Sequence, residues 1–278
     1  MKLIINADDF GMSKTVNEAI IDGYNNGILS STCIMANMPA FEHAVKSLER
    51  MPDIGLGIHL NIIERKTMLQ QASRENDSKL YDKDGKFKNG FLQMIIKSFD
   101  DDFMVEVEHE FRKQIETVLK YTKPDHIDSH VHTHAIPKIF ELVCKLAKEY
   151  GIPRIRTQFE YPYLAKNHKD WFNPQYYINL IKICILNVFT VINRGTLYKY
   201  GLKSNDRVIG VGYTGMMDKD TILSGIEASK DCDCVLEVIC HPDLNEERNS
   251  NRKEYSAVTD KELQEKIKEY NVITYREL

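Results

Sequence analysis

Residues 1–62 read MKLIINADDFGMSKTVNEAIIDGYNNGILSSTCIMANMPAFEHAVKSLERMPDIGLGIHLNI. Short apolar runs that end in polar residues alternate here with segments whose apolar residues recur at helical spacing. The predicted order is therefore strand, helix, strand, helix, strand, with Ser13 as the N-cap of the first helix. This alternation is typical of a parallel sheet covered by helices, either an open α/β sheet or a barrel.

One long polar interruption follows. Residues 64–90 carry few apolar side chains and include an Asp-Gly turn signal at 84–85. Long loops inside compact domains are usually functional or disordered. Because this loop comes directly after the strand that ends in His59, we expect it to cover the substrate.

Beyond the loop, the alternation continues to the end of the chain. The pattern predicts a helix over 103–121, a strand over 126–130, and a helix that begins near Pro137 and ends near Gly151. Further strands are predicted in IPRIRTQ, DRVIGVGYTG, CVLEVICHPD and NVITY. We predict a single domain over 1–278 with a (β/α)-barrel-like α/β fold, a distorted TIM-type barrel of seven or eight mostly parallel strands.

The composition argues against several functional classes. Of the 278 residues, 42% are hydrophobic and 28% are charged, as in soluble globular proteins. A net charge of −4 argues against a nucleic-acid partner, and acids at positions 8 and 9 come too early for a secretory signal peptide. The most apolar later segment, 178–193, contains Lys182 and is too short to span a bilayer, so we expect a buried helix, no membrane and a cytoplasmic location.

The six cysteines are expected to be free thiols, because the chain is long and has the character of an intracellular protein. Cys232, Cys234, Cys240 and His241 together suggest a zinc site. However, CVLEVIC is an apolar strand and no Cys-x-x-Cys pair is present, so small buried side chains are the better interpretation.

Four of the nine histidines fall within residues 126–134, HIDSHVHTH. Alternate side chains of an extended chain face the same way, so His126, Asp128, His130, His132 and His134 would share one side. Neutral imidazole is a common metal ligand, and a carboxylate often orients it. A solvated strand end would explain one histidine better than four, so we predict a metal site, although spacing does not decide which residues bind.

Other reactive side chains stand at the ends of predicted strands. Asp8 and Asp9 could divide the roles of general base and metal ligand, or could form an ordinary acidic turn. His59 could be a ligand or a buried structural histidine. His241 could be a general acid or a turn residue, and Arg156 could orient a carboxylate or form a surface ion pair. In a barrel all these strand ends meet at one face, which favours the functional interpretations.

Taken together, these motifs resemble those of the YdjC-like carbohydrate deacetylases, of the ChbG and HpnK type. The resemblance rests on NADDFG, GIHLN, HIDSHVHTH, the RIR strand and the late CHPD, with LYDKDGKF in the loop after GIHLN. It covers residues 1 to about 245 in the family's order. It implies a barrel-like domain, distantly similar to the NodB-type deacetylases, and one divalent metal ion, magnesium with zinc as the alternative.

The resemblance also implies roles for individual residues. Asp9, His59 and His130 match the metal ligands and Asp8 matches the proton-accepting aspartate. By the more distant NodB similarity, His241 would be the general acid. On the same basis, Arg156 would steady Asp8.

One departure concerns the histidine cluster. The family often has Asp-Ser-His-His-His, whereas this chain has Asp-Ser-His-Val-His at 128–132. The first histidine is retained, so Asp128, His132 and His134 are expected to lie behind the ligands or to face the substrate. Region 160–205 matches nothing in the family pattern and is expected to shape substrate choice.

The implied activity is a metal-dependent hydrolysis that removes N-acetyl groups from an acetylated amino sugar or a chitooligosaccharide-like substrate, giving acetate and a free amine. The expected partner is this small acetylated sugar, and the resemblance makes a homodimer an expectation. Two alternatives remain open. A barrel phosphoesterase would hold two or three metal ions, and a non-catalytic sugar-binding protein would have no use for a spare base such as Asp8.

Overall fold

One parallel sheet organises the chain. The computed structural model describes residues 1–69, 78–166 and 173–278. In these residues the sheet has seven strands, in the order β4-β3-β2-β1-β6-β5, with β7 beside the start of β1. The strands are β1 Lys2–Phe10, β2 Ser31–Ile34, β3 Gly55–Leu60, β4 His126–Ser129, β5 Arg207–Ile209, β6 Val235–Cys240 and β7 Asn271–Val272.

Helices cover the sheet. They are α1 Lys14–Asn25, α2 Phe41–Ser47, α3 Phe91–Lys97, α4 Asp101–Leu119, α5 Pro137–Glu149, α6 Pro174–Tyr200, α7 Lys219–Ala228, α8 Asn249–Val258 and α9 Lys261–Ile267. The predicted signals for two of them are confirmed. The Ser13 hydroxyl accepts a hydrogen bond from the Val16 amide at 3.1 Å, and Pro137 opens α5, after which Gly151 lies at φ +70°.

The central strand β1 places its end in the middle of the sheet. It pairs with β6 from Lys2 to Ala7 and with β2 from Asn6 to Phe10. All its residues after Lys2 are buried, as expected for a parallel strand that is covered on both faces. Asp8 and Asp9 therefore lie at the centre of the sheet's carboxyl edge.

The segment 154–160 lies between the two edge strands of the curled sheet, β4 and β5, and forms backbone hydrogen bonds with both. The Ile127 amide in β4 donates to the Arg154 carbonyl at 3.0 Å, and the Val208 amide in β5 donates to the Phe159 carbonyl at 2.8 Å. The predicted strand IPRIRTQ thus forms isolated bridges rather than a full strand. The predicted barrel-like, mostly parallel α/β fold is confirmed.

Helix α6 differs from the prediction for 178–193. It runs for 27 residues and is not buried: one face packs inward through Ile183 and Leu186, while the opposite face is exposed. By length and composition α6 could also cross a membrane. Only 28% of its most apolar 18-residue stretch is buried inside the protein, so burial in the core does not account for its apolar character. Apolar residues occur all round this helix, so periodicity could not reveal which face would be covered.

Two further expectations, for the loop 64–90 and for the cysteines, can be compared with the described residues. The loop 64–90 contains antiparallel bridges between Lys66 and Lys86 and between Tyr81 and Phe87, while its residues 70–77 lie outside the described residues. The expectation that all six cysteines are free is corrected, because Cys232 and Cys234 are joined in the turn before β6.

Candidate metal centre and strand-end pocket

The polar ends of β1, β3, β4 and β6 converge on one cavity of about 280 Å³, which we call the strand-end pocket. This is the convergence that the alternating pattern predicts. The residues that line the pocket are Asp8, His59, His130, Val131, His132, Lys182, Thr214, Gly215, His241, Ser250, Asn251 and Glu254.

Three side chains at the pocket form a donor triad: Asp9, His59 and His130. One atom from each lies within 4.8 Å of the others. Asp9 Oδ1 is 2.9 Å from His130 Nδ1 and 3.5 Å from His59 Nε2. Asp9 adopts a left-handed backbone (φ +70°), which is strained for a residue other than glycine. This turn of the backbone places Asp9 against His59 and His130, while Asp8 lines the pocket.

The donor triad attracts positive charge. Burial by itself lowers the pKa of His130, but Asp9 and Glu64 raise it to about 10, so a proton sits beside the Asp9 carboxylate. A divalent cation would compete with that proton for the same oxygen and nitrogen donors. One carboxylate with two imidazoles is a donor set used by zinc and other divalent metals, so the residues present fit such an ion.

Asp128 orients His59. The two residues are paired across β3 and β4, and His59 Nδ1 lies 2.8 Å from Asp128 Oδ1. This contact leaves His59 Nε2 directed towards the pocket, as carboxylates do for metal-binding histidines. Asp128 is fully buried and lies behind His59, outside the lining of the pocket.

Arg156 lies at the centre of three buried carboxylates. Its guanidinium donates to both oxygens of Asp8 at 2.9 and 2.8 Å and to Glu237 Oε1 at 3.0 and 2.7 Å, and it also contacts Asp128. Burial alone would raise the pKa of Asp8, yet Arg156, with His59 and His241, holds it well below its ordinary value. Asp8 is therefore an ionised carboxylate at neutral pH.

His241 faces Asp8 across the pocket, with Nε2 3.8 Å from Asp8 Oδ2. Glu254 of α8 orients it, because Glu254 Oε2 accepts from the His241 amide at 2.5 Å and lies 3.5 Å from Nδ1. Burial lowers the pKa of His241, but Glu254 and Asp8 outweigh this and raise it to about 9. His241 is thus protonated at neutral pH.

The predicted alternation of the histidine cluster holds only as far as Ser129. Beyond it the backbone turns, with Val131 at φ +53° and His132 at φ +58°, so the later histidines do not share one side. A period of two applies only to extended chain, which ends here.

The two outer histidines of the cluster lie outside the pocket, His126 at the start of β4 and His134 beyond the turn. His126 stacks on Tyr275 with ring centroids 3.9 Å apart, over Gly57, where a Cβ would collide with its ring. His134 Nε2 donates to the Arg156 carbonyl at 3.0 Å, and burial lowers its pKa to about 4. His134 thus supports Arg156 and does not face the pocket, whereas His132 does line it.

Sequence reasoning missed several residues of this site. Cys33 lies 3.1 Å from Asp128 and 3.2 Å from Asp8, and burial first, then Asp128 and Asp8, raise the pKa of its thiol well above the ordinary value. Glu237 and Glu254 lie in a strand and a helix with no motif of their own. Lys182 enters the pocket from α6, and burial lowers its pKa. Its one signal was a lone charge in an apolar run.

A curled parallel sheet with acids, histidines and a buried arginine at its strand ends has the architecture of a barrel enzyme. The chain belongs to the YdjC-like protein family, whose model matches residues 2–269. The resemblance that the motifs carry is therefore confirmed.

Relatives agree with the predicted enzyme class. The chain is 28% identical to a carbohydrate deacetylase of Thermoanaerobacter pseudethanolicus, over 98% of this chain and 96% of that protein. It is 40% identical to a carbohydrate deacetylase of Clostridium beijerinckii over 55% of this chain, and the match spans only 59% of that relative. A solved structure from Enterococcus faecalis, described as a candidate cellobiose-phosphate cleavage protein, superposes over 99% of this chain and 98% of that one, with a TM-score of 0.71. At 24% identity this likeness shows the fold alone.

The Arg156 cluster yields a stability prediction. Replacing Arg156 by Leu leaves three buried carboxylates without their counter-charge, so we expect a loss of about 3–5 kcal/mol in the free energy of unfolding at pH 7. Urea unfolding followed by circular dichroism would measure it. The loss should shrink as the pH falls towards 4, because the unpaired buried carboxylates of the variant take up protons, whereas Asp8 and Asp128 of the wild type, whose pKa is lowered by Arg156, keep their ion pairs.

The matched control is Arg50→Leu, which removes an exposed ion pair with Glu18 and should cost no more than about 1 kcal/mol. Equal losses in the two variants, or a deficit that does not change with pH, would contradict the central role of Arg156.

Proposed function

We propose that the protein is a metal-dependent carbohydrate deacetylase. It would hydrolyse the acetamido group of an acetylated amino sugar or a chitooligosaccharide-like substrate, releasing acetate and a free amine. The observation that carries the proposal is the pairing of an ionised Asp8 with a protonated His241 across 3.8 Å, beside the donor triad. Amide hydrolysis needs such a base and such an acid at one centre. The names of the relatives support this reaction.

The donor triad would hold the metal ion, magnesium with zinc as the alternative. Bound there, a divalent cation would polarise the acetyl carbonyl and lower the pKa of a water molecule. Asp128 keeps Nε2 of His59 directed at the pocket. The protein's own contribution is thus a preformed set of three donors with one of its rings already oriented.

Each remaining residue has one task in the proposed reaction. Asp8 accepts the proton of the attacking water as the new carbon–oxygen bond forms. Arg156 holds both oxygens of Asp8 and so positions the base. His241 gives its proton to the amide nitrogen as the carbon–nitrogen bond breaks, and Glu254 orients its ring. Lys182 supplies a further positive charge to the wall of the pocket, where it can face the negative charge on the acetyl oxygen.

We further propose that the partner of the exposed face of α6 is a second copy of the chain. Seven exposed residues recur there at alternating steps of four and three, the spacing of a seam between packed helices. They are Tyr177, Ile181, Cys184, Val188, Val191, Gly195 and Tyr198, and we call them the α6 seam.

The α6 seam suits a copy of itself because it carries no charge. Of the cations of the helix, Lys182 lines the strand-end pocket, Lys199 pairs with Glu141 at 2.9 Å, and Arg194 stacks over Phe159. Two seams can therefore meet without like-charge repulsion. The seam is about 32 Å long at 1.5 Å per residue, enough to contribute most of the roughly 800 Å² per partner of a stable interface. A cytoplasmic location of the pair stays a prediction.

Acetate release tests the reaction. Purified protein supplied with magnesium or zinc should release acetate from N,N′-diacetylchitobiose, and EDTA should stop the release. Asp8→Asn should lower kcat by about 10²- to 10⁴-fold, because it removes the base but keeps its size. The control is Asp53→Asn at an exposed position. Near-normal turnover in Asp8→Asn would refute the role of Asp8.

Metal content tests the donor triad separately from turnover. After loading and gel filtration, elemental analysis should find one divalent ion per chain in the wild type and much less in His59→Ala. The exposed His109→Ala should keep the full content. Full content in His59→Ala would refute the assigned ligands, and two or three ions per chain would favour the phosphoesterase alternative.

Sedimentation equilibrium tests the pairing. The wild type should be dimeric at micromolar concentration, and the double variant Ile181→Glu, Val188→Glu should be monomeric, because it would place four charges in an apolar seam. Leu92→Glu, at a residue on α3 that is 67% exposed, should leave the dimer unchanged. A monomeric wild type, or wild-type binding to neutral lipid vesicles through α6, would contradict the proposal.

A further inference from the structure

The two imidazoles of the donor triad are arranged in the same way. His59 directs Nε2 towards Oδ1 of Asp9 at 3.5 Å, and His130 directs Nδ1 towards the same oxygen at 2.9 Å. The other nitrogen of each ring faces a second carboxylate. His59 Nδ1 lies 2.8 Å from Asp128, and His130 Nε2 lies 3.6 Å from Glu64. Each ring therefore has one nitrogen for the proposed metal ion and one for a carboxylate of its own.

The two outer carboxylates belong to different parts of the fold. Asp128 lies in β4 and is fully buried, so the sheet fixes its position. Glu64 lies beyond the end of β3, in the segment that follows the GIHLN motif, and its side chain is 49% exposed. The proposed reaction gives Glu64 no task. A carboxylate that orients a metal-binding imidazole nevertheless normally affects metal affinity.

Asn61 fixes the backbone of Glu64. The Asn61 side chain is fully buried, and its Oδ1 accepts from the amides of Ile63 and Glu64, both at 3.1 Å. Its Nδ2 donates to the Glu64 carbonyl at 2.8 Å. Gln114 of α4 holds the main chain of Asn61, because it donates to the carbonyl at 2.7 Å and accepts from the amide at 2.9 Å. Residues 61–64, which we call the Asn61 turn, thus present Glu64 to the metal centre.

The segment after the Asn61 turn, residues 65–68, is anchored on two sides. The Thr67 amide donates to the Gly85 carbonyl at 2.9 Å, in the pairing within the loop 64–90. Glu110 of α4 is fully buried and accepts from the Thr67 hydroxyl at 2.5 Å. Because Glu64 immediately precedes this anchored segment, the position of its carboxylate depends on how the segment is placed.

We propose that Glu64 is a positioning residue for His130 and that it links metal binding to the placement of the Asn61 turn and residues 65–68. A divalent ion held through Nδ1 of His130 leaves the ring proton on Nε2, where the Glu64 carboxylate accepts it. Metal binding then stabilises the Asn61 turn, and by reciprocity an ordered turn raises the affinity for the metal. The inference rests on the donor triad of the proposed function, but it requires no turnover.

Calorimetric titration of the metal-free protein with ZnCl₂ tests the link from the metal side. The wild type should bind zinc about tenfold or more tightly than Glu64→Gln, which keeps the size of the side chain and removes its charge. Asp84→Asn is the matched control, because it removes an equal charge from an exposed position of the same loop. His59→Ala defines zinc binding outside the donor triad. Without metal, the melting temperature of Glu64→Gln should stay within about 3 °C of the wild type, which excludes a general loss of stability.

Hydrogen exchange tests the link from the loop side. The amides of Ile63 and Glu64 are hydrogen-bonded within the Asn61 turn, so their exchange reports its opening. Zinc should slow exchange in the peptide 61–69 several-fold in the wild type and have little effect there in Glu64→Gln. Equal zinc affinity in these two proteins, an equal loss in Asp84→Asn, or exchange in 61–69 that does not respond to zinc would overturn the inference.

Acetate release by the wild type is measured in parallel. Zinc binding that depends on Glu64, without acetate release, would keep the link and remove the proposed reaction. Acetate release with zinc binding that does not depend on Glu64 would do the reverse. A wild type that binds no more zinc than His59→Ala would remove the donor triad and the link together.

Discussion

The guanidinium of Arg156 is the charge on which the rest of the site depends. It is fully buried, where an unpaired cation would be very costly, and it pairs with Asp8 from β1, Asp128 from β4 and Glu237 from β6. The segment that carries it also connects the two edge strands of the curled sheet. One side chain therefore joins the closure of the sheet to the ionisation state of the proposed base.

Other features of the site follow from this cluster. Because Arg156 keeps Asp128 ionised, with its pKa lowered to about 2 despite burial, Asp128 can accept from His59 and direct the other ring nitrogen at the pocket. His134 donates to the carbonyl of Arg156 and so supports the arginine from behind. The left-handed turn at Asp9 then separates the two adjacent aspartates, one towards Arg156 and the other towards the histidines. The site is thus one electrostatic unit built from four strand ends.

Two further elements lie round this unit. Helix α6, in the region without family motifs, contributes Lys182 on its inner side and an exposed apolar seam on its outer side. The paired segments after β3 contribute Arg65, Lys66 and Lys86 to the lining of a second cavity. Both elements border the strand ends without supplying the donor triad or the Asp8–His241 pair.

The sequence by itself determined the α/β alternation, the parallel curled sheet and the family, because apolar period and motif order are local properties of the chain. It also placed Asp8, Asp9, His59, His130 and His241 at strand ends, which parallel topology then brings together. Only the tertiary structure decided that His126 and His134 lie outside the pocket. A left-handed turn at 131–132 ends the alternation before His134, whereas His126 lies at the start of β4, stacked on Tyr275. Only the tertiary structure supplied Glu237, Glu254, Cys33 and Lys182, whose roles come from contacts between distant segments. The tertiary structure alone also decided which face of α6 is exposed, because a helix that is apolar all round does not show in its sequence which side the fold will cover.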